Sequence, residues 1–336
     1  MLNKKMKTFG TMIIVGLLCL SMSSCGSSPD SQDSLEKGAT LIEQGRREEG
    51  IECLRQYVFY HPESYRAHFL LGQSILSDQN TNEELYLARY YFNKARQLAK
   101  TENDQEAADS SYADIQLLMG KGTRSAKVLF KSAERYAKRG QNTVAANFYL
   151  KAGSRFMMEQ KYGDAEEAYA SGLQIADNEG CVTALVLGQA TVFLLDEKPE
   201  ESLTALQDLP DNASSTNLCA TLDADFLRVS AEILSIEGER NLTSFWKKEV
   251  TEGESSTLGE KLQELTQKED QEGGEFAQER STLRARGWVL LAERFKKLDM
   301  TVQAKQAFTR ARSCFQVAGL KEEVLEVGEE LKELES

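Results

Sequence analysis

Residues 285–317 read ARGWVLLAERFKKLDMTVQAKQAFTRARSCFQV, and this stretch decides the fold. Trp288, Leu291, Ala292 and Phe295 recur at i, i+3, i+4 and i+7, the spacing that gathers side chains on one face of a helix. Ala304, Phe308 and Ala311 repeat that kind of spacing after a short break. The break falls at Leu298-Asp299-Met300-Thr301, where Thr301 is the expected N-cap of the second helix. Small residues at 292, 304 and 311 let two antiparallel helices approach closely, and the three aromatic rings fill the space between them. Such a hairpin buries only part of its apolar surface and therefore needs neighbours.

The order aromatic, Leu, small, aromatic, Ala, aromatic, Ala resembles a tetratricopeptide (TPR) repeat; Gln316 stands where that family has its terminal Pro. Weaker echoes run upstream. Gly38, Leu41, Gly50, Leu54 and Pro62 fall at TPR-like positions, with Gly45-Arg46-Arg47 as the inter-helix turn. Leu71, Gly72 and Ile75, followed by Ala88, Phe92 and Ala95, mark a second unit. Its inter-helix segment, from Ser77 to Glu84, is longer than standard and holds Asp78, Asn80 and Asn82.

From Asn103 the pattern loosens but stays helical. Ala126 to Tyr136 and Ala145 to Phe156 form stripes. Ala165, Tyr169 and Gly172 close a further unit, with Lys161-Tyr162-Gly163-Asp164 as its turn. Cys181–Leu195 and Glu200–Leu209 make a degenerate pair ending at Pro210, and Leu218–Ile236 reads as a long amphipathic helix. The resemblance implies an all-α solenoid of antiparallel hairpins. Residues 31–102 form an N-terminal pair, 103–237 degenerate hairpins and 283–318 the last repeat. A charged, Gly-containing insertion spans 238–282, with a short helix expected at Leu258–Leu265, and 319–336 is an acidic capping helix. Only four prolines in 336 residues, with 28% charged residues, agree with an all-helical chain.

The first 24 residues read as an export signal: Lys4, Lys5 and Lys7, then the apolar stretch from Phe9 to Leu20, too short for a comfortable membrane span. The following Leu20-Ser21-Met22-Ser23-Ser24-Cys25-Gly26 resembles a bacterial lipobox, which implies lipidation of Cys25 and a mature chain that begins there. An ordinary signal peptide cleaved near Ser24, or an uncleaved anchor, is the alternative reading of the same residues. Residues 25–34 then read as the lipidated Cys and a flexible tether. The position after Cys25 is not Asp, so the resemblance leans toward the outer membrane, facing the periplasm, over the inner membrane.

The signal carries three of the 40 basic residues and none of the 53 acidic ones, which leaves the mature chain with 37 basic residues and a net charge of −16. Such a balance argues against general nucleic-acid binding, which depends on phosphate neutralisation. Cys53, Cys181, Cys219 and Cys314 are widely scattered and read as buried single thiols, although an oxidising compartment permits a Cys181–Cys219 bridge.

No catalytic, metal or cofactor set is recognisable, and the chain reads as non-enzymatic. Gly120-Lys121-Gly122-Thr123 lacks the earlier Gly and the strand of a phosphate loop and reads as a turn between helices. His61 and His68 lack the spacing of a helical metal pair. Two surfaces remain. Arg124, Lys127, Lys131, Arg135 and Lys138 line one helical face in a region, 121–155, whose single acid is Glu134. This basic stripe suits an acidic partner or anionic lipid, or simply solvates an outer face. The TPR resemblance also implies a concave groove lined by the first helix of each pair: Leu35, Ala39 and Ile42, then Phe69, Gln73 and Leu76. This mostly apolar lining fits an envelope protein's helix or extended peptide, and part of it can equally be core.

Overall fold

The computed structural model describes residues 32–76, 80–209, 222–236, 260–262, 264 and 277–335. The signal segment, Cys25, Asp78, Cys219 and most of the expected insertion lie outside them. The described residues are helical throughout, with short connections and no strand. They divide into two compact units, residues 1–121 and 122–336.

The first unit contains α1 (Gln32–Glu43), α2 (Arg47–Tyr60), α3 (Tyr65–Ile75), α4 (Asn82–Leu98) and α5 (Glu102–Leu118). Consecutive helices pack as antiparallel neighbours, and α1 also touches α3. Helix α1 starts inside the expected tether: Ser34 and Leu35 are already buried. Two core clusters follow from the stripes. Leu35, Leu54, Ala67 and Leu71 join α1 to α3. Ile75, Leu85, Ala88, Phe92 and Ile115 join α3 to α5. The glycines at repeat positions give space to the facing side chain. A Cβ at Gly72 would lie 2.8 Å from the Phe92 ring, and one at Gly38 2.9 Å from Leu54.

Polar side chains fix the helix starts that glycine does not. Ser64 Oγ accepts from the Ala67 amide at 3.3 Å. Thr81 and Glu84 form a reciprocal capping box, with bonds of 3.2 and 2.9 Å. Thr101 Oγ1 accepts from the Asp104 amide at 3.1 Å. Arg47 sends its guanidinium to the end of α3, where Nε donates to the Ser74 carbonyl at 2.6 Å and a terminal nitrogen to that of Ile75.

The second unit contains α6 (Gly122–Lys138), α7 (Asn142–Met158), α8 (Tyr162–Leu173), α9 (Glu179–Leu195), α10 (Pro199–Ala205, followed by one 3-10 turn), α11 (Ala224–Ser235), α12 (Ala277–Lys297), α13 (Thr301–Ala318) and α14 (Lys321–Glu333). Its centre is α9, which touches α7, α8, α10, α11 and α12. That explains Cys181–Leu195, a run without a charge: a helix surrounded by helices has no polar face. The Tyr169 ring of α8 is fully buried between Gly153 of α7 and Gly188 of α9.

The opening stretch forms α12 and α13 as read. Trp288, Leu291, Ala292, Phe295, Ala304, Phe308 and Ala311 are all buried. The turn differs: Thr301 is the first helical residue, not the cap. Met300 holds the cap position without a side-chain bond, and the chain reverses because Asp299 adopts φ 56°. Seven described residues have positive φ, and all occupy the same place: Gly45, Gly120, Gly140, Gln160, Glu197, Asp299 and Gly319. At each, the amide of the next residue bonds back five positions, as Arg46 does to the Leu41 carbonyl at 2.8 Å and Lys161 to that of Phe156 at 2.8 Å. This is the Schellman turn, and here it leads straight into the next helix.

Several expected boundaries shift accordingly. The α7–α8 turn is Glu159–Lys161, and Tyr162 already belongs to α8. Helix α11 is shorter than read, because Asp223 caps it by accepting from the Phe226 amide at 2.9 Å. Helix α12 begins at Ala277, inside the expected insertion. Within that insertion residues 260–262 and 264 are helical, and Leu262 is buried.

Candidate functional site

The expected groove residues sit on α1 and α3 but do not form a uniform lining. Leu35 is core, packed with Leu54, Ala67 and Leu71, and offers no surface to a ligand. Ala39 and Ile42 are half-buried, and Ile42 packs against the same cluster. Phe69 is half-buried between two rings: stacked on Tyr65, with centroids 5.6 Å apart, and edge-on to Phe92, also at 5.6 Å. Leu76 packs half-buried beside it, and Gln73 is exposed between the two. Helix α3 thus presents a rigid aromatic shelf with one polar side chain free above it. Arg66 ties this helix to α1 through a two-pronged bond to Glu36 at 2.6 and 3.1 Å.

Sequence reading missed the polar ties beneath this surface. Arg96 Nε donates to Asp109 Oδ1 at 2.6 Å, and the guanidinium lies 4.5 Å from the Tyr112 ring centre. Asp109 has no solvent exposure, so an ion pair joins α4 to α5 where periodicity alone suggested only apolar contact. Tyr65 donates its hydroxyl to the Asp104 carbonyl at 3.0 Å. Burial, with the Asp104 carboxylate second, pushes its pKa up to about 12. His68 is buried: its Nε2 lies 2.9 Å from the Pro62 carbonyl, the geometry of a neutral ring donating there, and burial lowers its pKa.

In the second unit, Arg124, Lys127, Lys131 and Lys138 emerge exposed along α6, opposite its buried Ala126, Leu129, Ala133 and Tyr136. Among the described residues, no carboxylate oxygen lies within 4.0 Å of these four cations. Arg135 departs from the stripe. It is half-buried, its guanidinium 5.4 Å from the Tyr136 ring centre, and it donates to Ser132 Oγ at 3.4 Å. Arg155 turns inward to Ser125. Gly122 makes room for the Glu159 side chain at the start of α6, where Thr123 donates to Glu159 Oε2 at 3.4 Å. The chain's own carboxylate therefore occupies the helix start that a phosphate would need.

Three arginines of α12 reach the ends of other helices. Arg286 donates to the Met157 and Met158 carbonyls of α7 at 3.3 and 3.2 Å, across more than a hundred residues of chain. Its burial lowers its pKa, against the raising influence of Tyr162, Glu323 and Glu159. Arg284 pairs with Asp223 at 2.7 Å, and Arg294 donates to the Ile236 carbonyl.

Cys181 is a free, buried thiol, its Sγ 3.6 Å from Asn147 Oδ1, and Cys219, the partner that the sequence offered it, lies outside the described residues. Burial raises its pKa to about 11. Cys314 is half-buried rather than buried, and Cys53 is buried and disulfide-bonded rather than a lone thiol. Among the described residues, no cluster of three or more His, Cys, Asp or Glu side chains could hold a metal ion. No helix among them is long and apolar enough to cross a membrane.

No protein-family model matches the chain, and no curated protein matches it. Among solved structures it is similar to one from the functional characterization of Pseudomonas aeruginosa pilF, with TM-score 0.41 and 13% identity over 89% of this chain and 96% of that one. It is also similar to the TPR domain of P58(IPK), with TM-score 0.24 and 12% identity over 90% and 97%.

Proposed function

We propose that this chain is a non-catalytic scaffold, anchored by a lipid on Cys25 in the bacterial cell envelope, that holds envelope proteins in an assembly. The anchor is read from the lipobox-like residues before Cys25, and the outer membrane, facing the periplasm, is the favoured location. The scaffold reading rests on one observation above all: α3 carries a stacked Tyr65–Phe69 pair, backed edge-on by the buried Phe92 of α4, with exposed Gln73 on the same helix, beside half-buried Ala39 and Ile42 of the adjoining α1. Rigid aromatic surface flanked by an unengaged amide suits a helix or extended peptide of a partner, because little side-chain entropy is lost on binding. Phe69 and Leu76 also support the core, so a charge there would test folding as much as binding. Gln73→Arg is the cleaner probe. Crosslinked affinity purification of the lipidated protein from envelopes should recover a small set of proteins that Gln73→Arg loses. An identical set from both would refute the groove.

The exposed cations of α6 support a second reading, a docking face for an anionic ligand or acidic partner. Lys127→Glu with Lys131→Glu should then abolish that binding while leaving the helical signal in circular dichroism intact. Unchanged binding would leave the stripe as a solvated outer face.

A further inference from the structure

We infer that the exposed Phe59–Tyr60 pair at the end of α2 is a membrane-contacting edge, seated in the interfacial layer of the bilayer that holds the N-terminal lipid. The inference rests on the lipidation of Cys25 proposed above.

Phe59 is 79% exposed and Tyr60 52% exposed, although the two preceding residues, Tyr57 and Val58, pack into the first core cluster. The last turn of α2 therefore runs past what α1 and α3 cover. The two rings meet edge to face, with centroids 5.2 Å apart and planes at 89°, so they form one preordered apolar projection.

Its place follows from the hairpin register. Gly38 faces Leu54, and Gly50 faces Ile42. Continued along the antiparallel pair, that register sets Asp33 beside Phe59 and Gln32 level with Tyr60. The chain thus enters α1 at the same end of the hairpin as the aromatic pair. Seven steps of chain lead from Cys25 to Gln32, which limits the span to about 25 Å even when fully extended. A lipid on Cys25 must hold this end of the unit close to the bilayer surface. Any large apolar group there meets the interfacial layer, where aromatic side chains, and tyrosine with its polar tip especially, are favourably placed.

Charge argues against recognition of anionic headgroups. Asp33 is exposed beside Phe59, and Glu63, with a 70% exposed side chain, follows shortly after Tyr60. These carboxylates repel an anionic surface, so the contact depends on burying the rings and not on lipid charge. It need not be strong, because the tether supplies an effective concentration in the range of about 1 mM or more.

The test uses the full lipidated chain in phosphatidylcholine vesicles that contain acyl-brominated lipid. Phe59→Trp should add emission that the brominated chains quench, whereas Gln44→Trp, exposed at the opposite end of the α1–α2 hairpin, should add emission that they do not quench. Mass spectrometry of the same samples reads the lipid on Cys25. An unquenched Phe59→Trp in a chain carrying its lipid overturns the membrane edge and leaves the anchor standing. A chain without lipid overturns both. Equal quenching at both positions overturns the assignment to this edge. As a second measure, Phe59→Ser with Tyr60→Ser, folded by circular dichroism, should speed transfer of the lipidated chain between vesicles. An unchanged transfer rate, as would follow if the pair instead met a second copy of the chain, also overturns the proposal.

Discussion

Replacing Gly188 by Ala tests how the second unit is packed. The Tyr169 ring is fully buried, with Gly188 and Gly153, from two different helices, both against the same edge of it. A Cβ at Gly188 would run into Cε1 of that ring and stand 2.6 Å from its Cζ. One at Gly153 would stand 2.7 and 2.8 Å from the same two atoms. Retreat from one helix is blocked by the other. Overpacking costs about 1–3 kcal/mol, and an approach this close to a ring held between two helices falls in the upper part of that range, about 2–3 kcal/mol, whereas Gly→Ala inside a helix returns about 1 kcal/mol of propensity. Gly188→Ala should therefore lose about 1–2 kcal/mol net, and Gly153→Ala slightly less. Gly328, in the interior of α14, meets nothing within 4 Å, so Gly328→Ala should gain about 0.5–1 kcal/mol. Urea unfolding followed by circular dichroism measures both, with midpoint and slope fitted to the second unit's transition. Tyr169→Leu combined with Gly188→Ala should recover part of the loss, since the two sites are in contact. A Gly188→Ala protein as stable as the parent would refute the close packing of α8 against α9.

The turns, the buried ion pair and the buried histidine give three further tests. Gln160→Gly and Glu197→Gly relieve left-handed backbone at φ 55° and 57°; each should stabilise by about 0.5–1 kcal/mol, and a measured loss would count against these turns. Asp109→Asn leaves Arg96 facing a neutral partner and should cost about 2–3 kcal/mol in urea unfolding, discounted from the full buried-pair value because Arg96 retains some exposure; a cost under about 0.5 kcal/mol would show that the pair is idle. His68 is a base whose folded pKa lies below its unfolded value. The unfolded chain therefore takes up the proton more readily, and stability should fall as pH drops through about 6.5. His68→Gln should flatten that part of the pH–stability profile, and an unaltered slope would remove His68 as its cause.

Much of the helical order was legible because apolar spacing is a local property. The seven positions of the last repeat were named from their spacing alone, and all are buried. Helix ends were less legible, since the Schellman turn selects a backbone conformation before it selects a residue. Gly45, Gly120, Gly140 and Gly319 advertise it, while Gln160, Glu197 and Asp299 adopt it silently. Thr301 looked like a cap by residue type, but Asp299 reverses the chain one position too early for it to serve. The groove residues formed one stripe on each of two helices, yet Leu35 went to the core and Gln73 to solvent. A stripe gives the side of a helix, whereas burial depends on how closely the next helix approaches.

The sequence by itself determined that the chain is helical, where most helices lie, and that 121–155 is basic on an otherwise acidic protein. Those properties are carried by neighbours three or four residues apart. Tertiary structure alone decided what distant residues do to one another. Arg286 closes the end of α7, and Asp109 is buried against Arg96. Gly153 and Gly188 yield to one tyrosine, and α9 lies at the centre of its unit. Each depends on a contact between helices, and in an antiparallel stack that contact is set by register and crossing distance, quantities that no local spacing encodes.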